Sequence, residues 1–353
     1  MFEKNIVSID LGSENIKIVI GSAKGENIKI SEIAMIETPS NAYLNGKIND
    51  LDQLRSAIRK QLDIMGVKKR WKAVLTLDSA DVITREVELP YSKDINLSSI
   101  VRFELEDSLP IMLDEYIIES KILETFDEGP VKKYRVLAAL MPKEMADHFY
   151  KLVTGLNLEP YVLDINSNVM SKVISAAYTV GEWKLEDFGT IAVVDFGSMS
   201  TNVMVFDKKV MKLNKLIDGG TAQVLESISN TFGLDFDGAR QKMIDDVHLD
   251  DSESEEVSAN LLSDVAKEGL EKTCDQIQMV LKYYMSRESN KEFDGLIIYG
   301  GGAKLQGIDK YMENYFKIPL INVDINEHVN VTKKGLKIDS KIYTNALGAL
   351  LGR

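Results

Sequence analysis

IVSIDLGSENIKIVIG, residues 6–21, decides how the chain is read. An apolar run ends at Asp10, a Gly12-Ser13 pair turns the chain, and apolar alternation resumes through Ile16, Ile18 and Ile20. Alternation on both sides of a glycine turn predicts a β-hairpin whose turn presents Asp10, Gly12, Ser13 and Lys17 together. IAVVDFGSMSTNVMVF, residues 191–206, repeats the pattern. Asp195, Gly197 and Ser198 take the D-x-G-S spacing of Asp10, Gly12 and Ser13, and Val203 and Val205 stand where Ile18 and Ile20 do.

Such a turn has a definite chemistry. With no Cβ, Gly12 lets a phosphate approach the main-chain N–H groups, and Ser13 adds a hydroxyl donor beside Glu14. A carboxylate at the strand end, Asp10, repels a triphosphate unless a hydrated Mg²⁺ lies between them. Mg²⁺ keeps several waters and takes few protein ligands. Lys17 offsets phosphate charge. The second turn supplies Asp195, Gly197, Ser198 and Met199, followed by Ser200 and Thr201, so two facing turns would clamp a phosphate tail from both sides. A third turn, Gly300-Gly301-Gly302 with Ala303 and Lys304, follows the strand Leu296–Tyr299 and enters a helix. Its glycines suit close passage of a flat ring or sugar, with helix N–H groups available to an anion. Each motif alone is an ordinary turn. The three in order, in matching strand contexts, point to a nucleotide whose phosphates lie beside a hydrated Mg²⁺.

Composition bounds the rest. The 353 residues, 44% hydrophobic and 27% charged, suit two or three globular domains. A net charge of −13 argues against nucleic acid as a partner, because that binding needs Lys/Arg fields to displace counterions. KKRWK at 68–72 is the one basic cluster and reads as a solvated helix end. Cys274, the single cysteine, excludes an internal disulfide, fits a reducing compartment, and reads as a small buried hydrophobe. Three dispersed histidines give no metal cage or Ser-His-Asp set. Neither a signal peptide nor a transmembrane run is expected, so the location expected is cytoplasmic with no direct membrane insertion.

Along the chain, strands are expected at 5–10, 15–20, 27–36, 73–77 and 82–90, with a helix from Asp50 to Gly66. Residues 94–109 read as a helix, 115–124 and 132–142 as strands around DEGP, and the stretch from Pro142 to Gly155 as a helix. Residues 82–157 therefore look like a separate β/α insert. A strand at 159–165, a helix at 166–180, the second hairpin and a strand at 209–217 follow. Helices are then expected at 221–232, 236–245 and 257–288, the last carrying Val257, Leu261, Val265, Ile277, Val280, Leu281 and Tyr284. DDSESEE at 250–256 reads as a solvated connection, IPLINV at 318–323 as a short buried strand, and YTNALGALLGR as a closely packed helix.

These residues resemble the actin-like ATPase superfamily. Residues 6–20 and 191–205 look like its two phosphate hairpins, 296–308 like its adenosine motif, and 164–180 and 343–351 like its connecting helices. The resemblance implies an α/β fold of two RNase H-like lobes around a nucleotide cleft. Lobe 1 would hold 1–80, 158–188 and 340–353. Lobe 2 would hold 189–339, with a subdomain at about 221–290. The insert at 81–157 lies where FtsA-like proteins carry their 1C subdomain. NGKIND (45–50), FELEDSLPIMLDEY (103–116), VLAALMPKEMADHFYKLVTGLNLEPYVLDI (136–165) and VVDFGSMSTN (193–202) narrow the resemblance to the PilM family of type IV pilus assembly. Relatives carry an acidic residue and a following lysine near the ribose. Here GARQKM puts Arg240 in the acidic place and shifts Lys242, so the departure falls on the ribose and adenine contacts.

The resemblance implies ATP phosphate contacts from Gly12, Ser13, Glu14, Lys17, Gly197, Ser198 and Met199. It implies adenosine contacts from Lys242, Gly300, Gly301, Gly302 and Ala303, and Mg²⁺ held through water by Asp10 and Asp195. It also implies a scaffold that docks the N-terminal cytoplasmic tail of a PilN-type membrane protein between the first lobe and the insert. That scaffold would link the tail to pilus assembly and retraction ATPases and the platform protein, with self-association, at the inner face of the membrane. Hydrolysis is expected to be slow or absent, with Asp164, Asn166 and Asn168 as water-orienting candidates. An FtsA-like filament protein and a small-molecule kinase are the alternatives. The first would need a membrane tether, which this sequence does not carry after Arg353, and the second a catalytic acid facing an acceptor pocket.

Overall fold

A computed structural model describes residues 6–351 apart from 26, 93–95, 178, 181–182, 185–186, 188, 251–256, 288–291, 323–328 and 334. The chain opens with β1 (Ile6–Leu11), β2 (Asn15–Lys24) and β3 (Asn27–Glu37), each antiparallel to the one before. A small hairpin, β4 (Tyr43–Leu44) and β5 (Lys47–Ile48), leads to α1 (Leu51–Ile64) and then β6 (Lys72–Leu77). Every residue of β1 is buried, as befits a central strand covered on both faces. The Asp50 carboxylate caps α1 by accepting from the backbone N–H groups of Asp52 and Gln53 at 3.1 and 2.9 Å.

The insert comprises β7 (Ile83–Pro90), α2 (Leu97–Ser108), β8 (Tyr116–Glu128) and β9 (Val131–Pro142). Its sheet runs β7-β9-β8 over a core of its own built on Leu89, Val101, Leu105, Val136 and Leu140. The next helix, α3 (Lys143–Gly155), was expected to belong to this unit. Instead its Phe149, Leu152 and Val153 pack with Leu54, Ile58 and Leu62 of α1 in the first-lobe core. The insert thus ends near Pro142, because the apolar stripe of α3 matches α1 rather than the small sheet. Glu124 on β8 takes ion pairs from Arg135 on β9 and, at 2.8 Å, from Lys212 of the second lobe.

β10 (Glu159–Ile165) and α4 (Asn166–Ala176) complete the first pass. The helix expected through 180 stops at Ala176, where Ala177 turns extended, and the β-branched pair Thr179-Val180 forms a short hairpin, β11 (Thr179–Val180) with β12 (Trp183–Lys184). The second lobe contains β13 (Thr190–Phe196), β14 (Ser200–Asp207), β15 (Val210–Asp218), α5 (Thr221–Phe232), α6 (Phe236–Asp246), α7 (Val257–Arg287), β16 (Gly295–Tyr299) and α8 (Ile308–Phe316). β17 (Val329–Val331) and α9 (Ser340–Gly348) follow.

The two large sheets repeat one plan. Strand order is β10-β6-β1-β2-β3-β17 in the first and β15-β14-β13-β16 in the second. Each has a three-strand antiparallel meander with a parallel strand added on its far side. IPLINV was expected to be a short buried strand; among its described residues a single parallel bridge forms, Leu320 with Leu296 of β16. β17 lies in the stretch assigned to lobe 2, yet it pairs in parallel with β3 and so belongs to the first sheet. On α7, Leu261 is half exposed. The buried stripe runs through Leu262, Val265, Leu270, Cys274, Ile277 and Leu281. Of the acidic stretch DDSESEE, residues 251–256 lie outside the described residues. The final helix packs as tightly as its small residues suggest: a Cβ on Gly348 would lie 2.5 Å from Val173 and 2.8 Å from Val169 on α4.

Cys274 is fully buried, and burial with nearby Asp275 and Glu271 pushes its thiol up to about 12. Only the thiolate alkylates, so native labelling with iodoacetamide at pH 8 should be at least about 100-fold slower than labelling of the urea-unfolded chain. Comparable rates in the two states would show that α7 is not packed as described.

Candidate functional site

Both hairpins close through the same three-residue turn. Asp10 pairs with Lys17 across the first hairpin and Asp195 with Asn202 across the second. A Cβ on Gly12 would lie 2.6 Å from the Asn15 carbonyl, and one on Gly197 would lie 2.4 Å from the Ser200 carbonyl. Glycine is therefore required at both turns for the backbone to fold back on itself. The two turns face one cleft of about 300 Å³ between the lobes. Of the sequence-predicted residues, Asp10, Gly12, Ser13, Glu14, Lys17, Asp195, Gly197, Ser198, Met199, Gly301 and Gly302 line it.

Three do not. Gly300 sits behind the wall, where a Cβ would lie 2.3 Å from Asp195 Oδ1, so it makes room for the carboxylate (φ +98°). Ala303 packs into the second-lobe core. Lys242 lies outside the cleft: its ammonium pairs with Asp246 at 3.2 Å, one turn along α6, and sits over the Phe232 ring. Arg240 takes the cleft position instead. Its guanidinium crosses from α6 to the first lobe, 3.6 Å from Glu14 and 3.1 Å from Glu37. Met35, Met243, Ile244, Lys304 and Gln306 complete this outer end.

The inner end is dense in charge. Asp10 and Asp195 are buried, and Asp78, at the end of β6, stands partly open to the cleft. Asn166, first residue of α4, donates to Asp78 at 3.1 Å and to Asp195 at 3.4 Å, and accepts from Thr76 at 2.6 Å. Asn345 of α9 donates to Asp195 at 2.8 Å, and Asn202 to Asp78 at 3.2 Å. Lys17 lies 3.4 Å from Asp10. Burial pushes the Asp10 carboxyl up against the pull of Lys17. Asp78 is raised well above the usual carboxylate range, by burial first and then by Asp195 and Asp10. Burial, opposed by the Asn345 hydrogen bond and reinforced by the Asp10 charge, pushes Asp195 up to about 6.

Three carboxylates against one ammonium leave excess negative charge in a confined space, which favours a cation. Among the described residues no three His, Cys, Asp or Glu side chains converge tightly enough to ligate an ion directly. The buried Tyr43 hydroxyl and Asn345 Oδ1 have no hydrogen-bond partner among the described residues. Both line the cleft and can accept or donate to waters there, so the donor set fits a hydrated ion.

Asp164 and Asn168 turn away from the cleft. Asp164 pairs with Lys172 at 2.8 Å and accepts from Asn168 at 2.8 Å. Of the three water-orienting candidates only Asn166 lines the cleft. Asp78 was not singled out from the sequence, although the apolar run ending TLD places a carboxylate at a strand end just as IVSID and AVVD do. Asn345, inside a small-residue helix, carries no such signal.

Against this geometry, the sequence profile described as type IV pilus assembly protein PilM matches residues 8–353. The chain belongs to the PilM family. Among solved structures, a PilM-PilN type IV pilus biogenesis complex superimposes with a TM-score of 0.78 at 19% identity, covering 98% of this chain and 97% of that one. The ethanolamine utilization protein EutJ of Carboxydothermus hydrogenoformans gives 0.57 at 12% identity, over 99% of this chain and 89% of that one. MreB5 of Spiroplasma citri, in a structure bound to ADP, gives 0.55 at 10% identity, over 98% and 95%. The fold is thus the actin-like ATPase fold.

The buried carboxylates sit above their unfolded values, so the folded chain keeps protons that the unfolded chain releases. The contribution of Asp195 to stability is present at low pH and is lost as pH rises from 3.8 through about 6, and those of Asp10 and Asp78 change in the same direction. Asp78→Asn removes one of these charges. Asn202 can flip its amide to accept from the new side chain, because its Oδ1 has no partner. The ligand-free variant should be more stable at pH 7.5 by on the order of 1 kcal/mol in urea denaturation. A less stable variant would mean that the Asp78 charge is compensated in the free protein.

Proposed function

We propose that the chain is an ATP-binding scaffold of type IV pilus assembly that docks the N-terminal cytoplasmic tail of a PilN-type membrane protein. The observation that carries the nucleotide part is the convergence of two matching hairpin turns and the Gly301-Gly302 turn on one charged cleft. Gly12, Ser13, Gly197 and Ser198 would hold the phosphates, and Lys17, whose ammonium lies near both Gly12 and Gly301, would offset their charge. Asp10 and Asp195, with Asp78, would hold Mg²⁺ through its waters; the ion would neutralise the carboxylates that otherwise repel the phosphate tail. Met35, Met243 and Ile244 offer apolar contact to an adenine ring. ATP serves chiefly as a structural ligand that closes the lobes, and hydrolysis is slow, with Asn166 the one water-orienting candidate in the cleft.

The tail part rests on a second concavity of about 420 Å³, between β10, α3 and the insert. Leu75, Phe149, Val153 and Leu163 form its floor, with Ile117, Tyr150 and Tyr161 exposed at its rim. β10 is the outermost strand of the first sheet, so an extended peptide can pair with its free edge while side chains enter the apolar floor. On this reading the protein works in the cytoplasm at the inner face of the membrane, held there by its partner. Pilus motor ATPases, the platform protein and further copies of the chain are its other proposed contacts. Among the described residues no helix is long and apolar enough to cross a membrane.

Three measurements test this reading. Asp10→Ala should abolish ATP binding in equilibrium dialysis and weaken capture of the tail peptide; full tail affinity without nucleotide binding would show the two sites to be uncoupled. Tyr150→Ala should weaken the tail peptide about tenfold or more in fluorescence polarisation while leaving ATP affinity unchanged. Turnover above about 1 s⁻¹ would count against a structural role for ATP.

A further inference from the structure

The basic cluster noted in the sequence is not a helix end. Residues 60–72 hold Lys60, Lys68, Lys69, Arg70 and Lys72 against a single carboxylate, Asp63, in a chain of net charge −13. Lys60 and Ile64 share a face in the last turns of α1, and Ile64 is 70% exposed. Beyond α1 the chain makes a tight turn, closed by the Trp71 N–H donating to the Lys68 carbonyl at 3.3 Å, with Lys69 and Arg70 at its tip. Arg70 lies in the left-handed region (φ +62°), and its N–H donates to the Asn157 carbonyl at 2.8 Å. An arginine occupies a position that glycine or asparagine would take at lower cost. Lys68, Lys69 and Arg70 are exposed, and none has an ion-pair partner among the described residues. A solvated face on so acidic a protein would be expected to recruit carboxylates; this turn has recruited none.

We propose that Lys60, Ile64 and the turn Lys68–Arg70 form a contact face for an anionic phospholipid surface. Juxtamembrane cations gain from the negative potential of such a surface, and an exposed isoleucine among them can enter the interface. The acidic remainder of the chain is repelled, so this face alone approaches and the protein is oriented. Its place in the fold agrees. The turn precedes the first residue of β6, whereas Asp78 follows the last, so the cleft lies about 20 Å away at the opposite end of the strand. Lys72 lies 3.9 Å over the ring of Tyr161, which lines the proposed tail groove, so the basic face and the groove are continuous. A tail leaving that groove for the bilayer passes beside the cations. That continuity rests on the tail reading; the lipid contact does not.

Sedimentation of the full chain with vesicles tests the proposal. Vesicles containing phosphatidylglycerol should carry down at least about fivefold more protein than vesicles of phosphatidylcholine alone at low salt, and the difference should vanish at high salt. The variant K68E/K69E/R70E should fall to the neutral-vesicle level with its thermal unfolding and ATP affinity unchanged. Ile64→Asp should weaken sedimentation at least about twofold. Equal sedimentation with both vesicle types, or an unchanged triple variant, overturns the proposal. If the triple variant instead loses affinity for the soluble tail peptide, with no lipid preference in the parent, the face reads a peptide and the lipid contact is wrong. Failure of the tail reading appears separately, as absent peptide binding with lipid preference intact.

Discussion

Charge at the lobe junction governs the molecule. Asp10 comes from the first lobe, Asp195 from the second and Asp78 from the residue after β6, and among the described residues only Lys17 answers them with an ion pair. Asn166, at the start of α4, donates to Asp78 and Asp195, and Asn345, midway along α9, donates to Asp195, so both helices hold the second-lobe carboxylate. Like charges press the lobes apart while the amides hold them in register. A cation or a phosphate tail changes that balance more than any apolar contact in the cleft, because low-dielectric surroundings magnify each charge.

The repeated plan of the sheets makes the asymmetry between the halves informative. Register equates Lys17 with Asn202: one hairpin places an ammonium beside its carboxylate, the other an amide turned toward Asp78. Positive charge is thus supplied by the first lobe. At the mouth of the cleft Arg240 reverses the direction, carrying a cation from the second lobe to Glu14 and Glu37 of the first. The insert adds a third tie through Glu124 and Lys212, so it is fastened to both lobes rather than to the one it grows from.

Much of this was legible in the sequence. The hairpins, α1, α3 and the strands of the insert announce themselves through periodicity and through turn residues such as Gly12, Gly66 and Gly197. The pairing of Asp10 with Asp195 follows from the repeated spacing alone. What escaped was decided by tertiary contact. Whether α3 belongs to the insert depends on which surface Phe149 finds. The three residues of β17 gain their strand character from β3. Lys242 and Arg240, two apart on one helix, swap roles because helical spacing sends them to different faces. Asn345 carries no signal of its own in the sequence; packing of α9 beside β16 and α4 brings its amide to Asp195.

The parallel pairing of β17 with β3 joins residues 329–331 to residues 28–30. During synthesis the meander of β1, β2 and β3 therefore waits for residues 329–331 before its outer strand is covered, while strands β13 to β16 and their helices are complete by residue 316. The second lobe is a contiguous stretch that can condense as it emerges. The first is stitched from stretches far apart in sequence and keeps its β3 edge uncovered until residues 329–331 have emerged. Long-range closure of this kind is slow and leaves such an edge open to wrong pairing. The lobe in which Lys17 stands beside Asp10 thus becomes itself after its neighbour.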